Sequence, residues 1–172
     1  MARIAASWIL EYGKKFLGVK YRMAAKAKLV NKRAGGFCYR VWDVGKDNER
    51  LVSRPDALDC SGFTFLICRG APMLTGEAGI LLPHGSYFQV NSKHTKPCTT
   101  DEAMKTAGCL LLHVNSKDQT DHVEMSLGDG KHTIGAVGGK VGKVAIMTRK
   151  ASWFKYGRKL EGVHYQGKEV RS

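Results

Sequence analysis

The sequence predicts an α+β fold in which helices come first and an antiparallel sheet follows. Two stretches carry apolar residues at helical spacing, 4–17 and 59–68, and both lie before residue 70. After residue 108 the apolar residues fall into short runs and alternations separated by glycine turns, the pattern of a meander. No repeat, low-complexity tract or linker divides the chain, and 172 residues fit one domain, 1–172, with a real core.

Residues 4–17 read as an amphipathic helix, with Ile4, Trp8, Ile9, Tyr12 and Phe16 on one side and Gly18 as its stop. A basic stretch, 23–34, reads as a short helix broken by Gly35-Gly36. "FCYRVWDV" alternates like a strand, and "GKDNE" is a turn that folds "RLV" back on it. Asp59 to about Cys68 reads as a second helix that buries Phe63, Leu66 and Ile67, with Cys68 in the core. Residues 71–100 read as loop. A short helix at 101–106 precedes a buried strand at 109–114. Strands follow at 122–127, 132–137 and 143–148, with a last strand-like segment at 153–160.

Charge narrows the partners. Lys and Arg number 28 against 15 Asp and Glu, a formal net charge of +13. Such a surface is drawn to polyanions: nucleic acid, anionic lipid or an anionic cell wall. No RNA-binding aromatic signature, zinc-finger spacing or basic zipper points to a specific nucleic acid. No segment has the ~20 consecutive apolar residues of a membrane span. Glu11, Lys14 and Lys15 interrupt the N-terminal apolar pattern, so no secretion signal is expected and synthesis is cytoplasmic. The five cysteines, Cys38, Cys60, Cys68, Cys98 and Cys109, are odd in number and scattered. That argues against a disulfide framework, and no C-x-x-C pair or cofactor motif suggests a metal or cofactor.

The stretch "DALDCSGFTFLICRG" places Cys60 where a loop becomes a helix. Buried cysteines commonly serve as small hydrophobes, and this one has that reading. The other reading is a nucleophile at the positive end of a helix, where a thiolate is stabilised. A nucleophilic cysteine needs a base close by, and six histidines are available. His84 and His94 are in loops, His113 ends a buried strand, His132 follows a turn and His164 is in the tail. His122 opens a strand after the polar loop "NSKDQTD", at the rim of a sheet. It shares a face with Glu124 and Ser126, while Val123, Met125 and Leu127 form the core face.

Six pieces of the chain, in order, resemble the NlpC-type cell-wall peptidases, a papain-like family of cysteine hydrolases. "LGVKY" is similar to the family's Gly-x-Pro-Tyr approach to the site, with Lys20 in place of proline. "LDCSGF" matches the nucleophile motif, and "LLPHGSYFQ" resembles its Leu-Pro-x-x-Ser-x-x-Gln segment. "AGCLLLHV" resembles the Gly-Asp-Leu strand with Cys109 for aspartate, "DHVEMSLGDGK" the histidine strand and turn, and "WFKYGRKL" the closing segment. The likeness spans the chain except about 23–56, which is then an insertion carrying Lys26, Lys28, Lys32, Arg33, Arg40 and Trp42. The resemblance implies a papain-like sheet packed on N-terminal helices, with the nucleophile at a helix N-terminus.

It also implies roles. Cys60 is the nucleophile and His122 the base. Tyr21 and the Cys60 backbone N–H face the oxyanion. Asp59 and Ser61 match positions that line the pocket in members that recognise a free amine on the peptide stem, and both are also ordinary helix caps. The bond implied is an amide in the peptide stem of bacterial peptidoglycan, D-glutamate to the diamino acid, with no metal and no cofactor. Lacking a signal, the chain resembles a phage lysin, a tail hydrolase or an injected effector that meets the wall after delivery. The alternative is a wall-docking module, such as a phage tail component, that keeps the fold without catalysis. A nucleic-acid-binding protein is a third reading that rests on charge alone.

The third catalytic position departs from the family, whose orienting residue is polar and often histidine. A two-residue turn at Asp129-Gly130 pairs Leu127 with His132, Ser126 with Thr133 and Glu124 with Gly135. Glycine then stands in the family's histidine slot. A bulge bringing His132 round, Glu124 or Thr133 standing in, or a backbone carbonyl or water all remain open, since a one-residue slip swaps the faces.

Overall fold

The computed structural model describes residues 4–32, 36–43 and 48–165. Strand β1 (Ile4–Ala5) leads into helix α1 (Ala6–Lys14). The helix is shorter than the expected 4–17 because Ile4 and Ala5 pair in parallel with β13 (Val163–His164). Gly18, at φ +89°, turns the chain into β2 (Lys20–Tyr21).

The insertion forms its own antiparallel sheet, β3 (Ala25–Lys32), β4 (Gly36–Asp43) and β5 (Asn48–Val52), in the order β3-β4-β5. The short helix expected at 23–34 is therefore a strand. Ala25, Ala27 and Leu29 are buried together with Val41, and Lys26 and Lys28 alternate with them. The period is two, disguised in the sequence by two alanines too small to read as a core face. Arg33, Gly35 and residues 44–47 of the expected turn lie outside the described residues.

Strand β6 (Ala57–Leu58) feeds helix α2 (Cys60–Met73), which extends well past the expected end at Cys68. Pro72 has no N–H to give the Cys68 carbonyl, four residues back, and Ile80 N–H donates to that carbonyl at 3.2 Å instead. The loop expected over 71–100 thus also holds α3 (Ser86–Val90) and β7 (Thr95–Cys98). Helix α4 (Thr100–Met104) is capped by Thr99 Oγ1, which accepts from Glu102 N–H at 3.0 Å.

Then come β8 (Leu110–Val114), β9 (Thr120–Ser126), β10 (His132–Val137) and β11 (Lys143–Thr148). A single 3-10 turn (Ala151–Trp153) precedes β12 (Tyr156–Leu160), so the closing strand starts later than 153. The main sheet has the order β6-β2-β11-β10-β9-β8-β12-β7. It is mixed rather than wholly antiparallel, since β2 and β6 run parallel. A parallel pair needs a long crossover, and the inserted sheet is that crossover.

The core explains the sheet's position. Leu110 and Leu112 pack with Phe63, Leu66 and Ile67 of α2. Leu111 points the other way, to Ala103, Met104, Cys109 and Phe154. The "LLL" run is apolar throughout because both faces of β8 are covered. Each such fully buried side chain contributes about 1.5–3 kcal/mol.

Candidate active site

Cys60 is the first residue of α2, and Asp59 is its N-cap: Asp59 Oδ1 accepts from Gly62 N–H at 2.6 Å. The glycine of "DCSG" has a steric cause. A Cβ at Gly62 would stand 2.8 Å from the Ala25 carbonyl oxygen and 2.7 Å from Asp59 Oδ1. That carbonyl also accepts the Asp59 N–H at 3.0 Å. The start of β3 therefore sits directly on the start of α2. Gln89, fully buried, locks α3 to the same turn: it donates to Ser61 O at 3.0 Å and accepts from Thr64 Oγ1 at 2.8 Å.

His122 stands near enough to the Cys60 side chain for the thiol to act on its charge. The β8–β9 ladder slips beside it: His113 pairs with His122 but Val114 with Thr120, leaving Asp121 as a bulge. Bulges re-aim side chains next to sites. His122 Nε2 donates to Glu124 Oε2 at 2.6 Å. Burial opposes charge on the ring, but Cys60 and the bonded Glu124 outweigh it and hold the imidazole up at about 9. Trp153 stands edge-on to the ring, 6.0 Å between centroids.

Of the two candidates for the third position, Glu124 and His132, it is Glu124 that bonds the His122 ring. Its side chain is fully buried, so the face it shares with His122 and Ser126 is covered. Burial would protonate it, yet bonds from His122, Arg149 and Thr133 keep it ionised, down at about 2. Arg149 holds both carboxylate oxygens, Nε to Oε1 at 3.1 Å and Nη2 to Oε2 at 2.7 Å. Thr133 Oγ1 donates to Oε1. Arg149 in turn lies over the Trp153 ring at 3.9 Å. Arg149 is not among the candidate residues of the sequence. The signal lay in the ladder: Thr133 pairs with Met147, and continuing that alternation puts residue 149 on the face of Glu124.

The β9–β10 register is the one that the two-residue turn predicts, with Ser126 opposite Thr133 and Met125 opposite Ile134. His132 is not brought to His122. Its Nδ1 bonds Asp129 Oδ2 at 2.5 Å across the turn, where it fixes the hairpin. Gly135 is the glycine that Glu124 requires: a Cβ there would lie 2.8 Å from Glu124 Cγ, with Cβ and Cα at 3.4 and 3.5 Å. Gly135→Ala is expected to push Glu124 off Arg149 and His122 and to lower turnover about tenfold or more. Steady-state kinetics beside a thermal melt check this. Unchanged turnover in a folded variant would show that Glu124 has room to spare.

Tyr21 is half-buried, and burial, then Cys60 and then Asp59, raise its hydroxyl pKa, so the tyrosine stays protonated; its hydroxyl donates to Met23 Sδ at 3.9 Å. Ser61 is buried and close to Asp59, 3.4 Å between Oγ and Oδ1. Both also receive Lys26 of the inserted sheet: its Nζ ion-pairs with Asp59 Oδ2 and donates to Ser61 Oγ at 3.0 Å. The sequence listed Lys26 among the insertion's basic residues but gave no sign of this contact.

A groove of about 530 Å³ runs beside the start of β9, lined by Tyr87, Asn91, Gln119, Thr120, Tyr156 and Arg158. Tyr87 and Phe88 of α3 are exposed there or next to it. A second groove, about 660 Å³, is lined by Tyr21, Arg22, Arg54 and Asp56 among others. Among the described residues no three His, Cys, Asp or Glu side chains converge as metal ligands, and no helix is long and apolar enough to cross a membrane. No protein-family model, curated protein or solved structure matches this chain.

Proposed function

We propose that this chain is a cysteine hydrolase that cleaves an amide bond in the peptide stem of bacterial peptidoglycan. The observation that carries the reading is the hydrogen-bonded series His122–Glu124–Arg149 beside Cys60, in which a helix-start thiol neighbours an imidazole bonded to a buried, ionised carboxylate. A packing cysteine has no use for such a series.

The residues divide the chemistry. Cys60 Sγ gives its proton to His122 and attacks the amide carbonyl carbon. The oxyanion that forms is met by the Cys60 backbone N–H, at the unsatisfied start of α2, and by the Tyr21 hydroxyl. As the C–N bond breaks, His122 protonates the leaving amine, and a thioester remains on Cys60. Water, deprotonated by His122, then releases the acid and restores the thiol. Glu124 holds the ring and stabilises its charged form throughout.

The substrate assignment draws on the order of the sequence motifs and on charge. The bond favoured is D-glutamate to the diamino acid. The net charge of +13 suits an anionic wall and predicts binding that weakens in salt. Digestion of purified diaminopimelate-type peptidoglycan, with released fragments read by mass spectrometry, tests the reading. Fragment masses that place the cut between glutamate and diaminopimelate support it. Intact wall with the protein still bound would instead favour a docking module.

A further inference from the structure

Asp59 and Ser61 stand on either side of Cys60, and their polar groups are already engaged from within the chain. Asp59 Oδ1 accepts from Gly62 N–H, and Oδ2 is paired with the Lys26 ammonium. The same ammonium donates to Ser61 Oγ at 3.0 Å. The pair is well covered: the side chains of Lys26 and Asp59 are 18% and 7% exposed. Lys26 therefore spends two of its three N–H donors on the nucleophile's neighbours, and the third has no partner among the described residues.

The surroundings add positive charge. The His84 ring stacks on Phe65 of α2 at 3.8 Å, and its Nδ1 is buried with no hydrogen-bond partner. Burial, then Lys26, Lys28 and Arg69, push its pKa down to about 4, with Asp59 opposing. The cations outweigh the one carboxylate at that point. The leaving amine has to lie at His122, the acid that protonates it. The acyl side of the substrate then runs past Asp59, Ser61 and Lys26, with the amino end of the stem one residue beyond the one that supplies the carbonyl.

We propose that Lys26 determines specificity beside Cys60: it fills the Asp59 carboxylate with the chain's own ammonium, rejects stems with a free amino group, and selects stems whose amine is acylated. An acylated stem is one still joined to its glycan, so the substrate class is intact wall rather than released peptide. An incoming ammonium meets a carboxylate already neutralised and a second ammonium beside it, while an acyl carbonyl accepts from the remaining Lys26 donor. The proposal rests on the reading of Cys60 as a nucleophile toward peptide stems.

Two synthetic probes test it, L-alanyl-γ-D-glutamyl-diaminopimelate with a free amine and the same peptide N-acetylated. Affinities are measured by calorimetry on the full chain carrying Cys60→Ala, which separates binding from cleavage. The acetylated peptide is expected to bind at least about tenfold more tightly. Adding Lys26→Met is expected to reverse the preference by freeing Asp59, and Lys26→Arg to retain it. Equal affinities, tighter binding of the free amine, or no binding of either peptide overturn the proposal; these come from the Lys26 protein and stand even where Lys26→Met fails to fold. Acetyl-selective binding without cleavage by the unmodified chain supports the pocket and overturns the enzymatic reading.

Discussion

Cys60→Ala is expected to lower turnover on peptidoglycan by at least about 10⁴-fold while leaving the fold in place. The side chain is small and stands at a helix start, so its removal costs about 1 kcal/mol of stability. A second readout separates a lost nucleophile from a disturbed site. Cys60 and Glu124 both hold the His122 imidazolium, so NMR titration of His122 in Cys60→Ala is expected to show its pKa falling from about 9 toward the ordinary 6.5. Glu124 alone still orients the ring. Full retention of turnover in Cys60→Ala would refute the nucleophile assignment. A His122 titration that does not move would place the sulfur out of reach of the ring.

Glu124→Gln is expected to have the second largest effect, on activity and on stability together. It removes the carboxylate that favours the imidazolium and strands Arg149, whose side chain is only 17% exposed. Leaving a buried charge without its partner costs about 3 kcal/mol. The pH dependence follows from the signs. His122 is raised from 6.5 to about 9, so its contribution to stability is full below pH 6.5 and is lost as pH rises through 9. Glu124 is depressed from 4.5 to about 2, so its contribution is full above pH 4.5 and is lost as pH falls through 2. Chemical denaturation across pH is expected to show a plateau from this pair between those inner limits and a decline on each side. In Glu124→Gln the acid-side decline from this pair disappears and the alkaline one moves down. The alkaline limb of the activity profile, set by loss of the His122 proton that the leaving amine needs, is expected to move to lower pH as well. An unmoved alkaline limb would mean that another group holds the imidazole.

The hairpin that positions these groups was legible early. The "SLGDGKH" turn sets the pairing of Ser126 with Thr133, and from it Gly135 falls opposite Glu124. What the sequence left open was which polar residue fills the space that Gly135 vacates. His132 was a candidate because a one-residue slip would have turned it inward. Asp129 holds it at the turn instead. The inserted region was misread as part helix because alanine favours helices and buries too little to show a strand's inner face.

By itself, the sequence determined the elements whose cause is local: the Asp59 cap before Cys60, the alternation of the β9–β11 meander and the turn that sets its register. It also determined the basic charge and the pairing of a helix-start thiol with a strand-start histidine as candidates. Only the tertiary structure decided the contacts that join residues far apart in the chain. Glu124 reaches Arg149 across the intervening strand β10, and Lys26 reaches Asp59 across 33 positions. The physical reason is burial. A carboxylate removed from water has to find a cation, and which cation arrives depends on how the sheets pack, a choice that no local pattern of residues records.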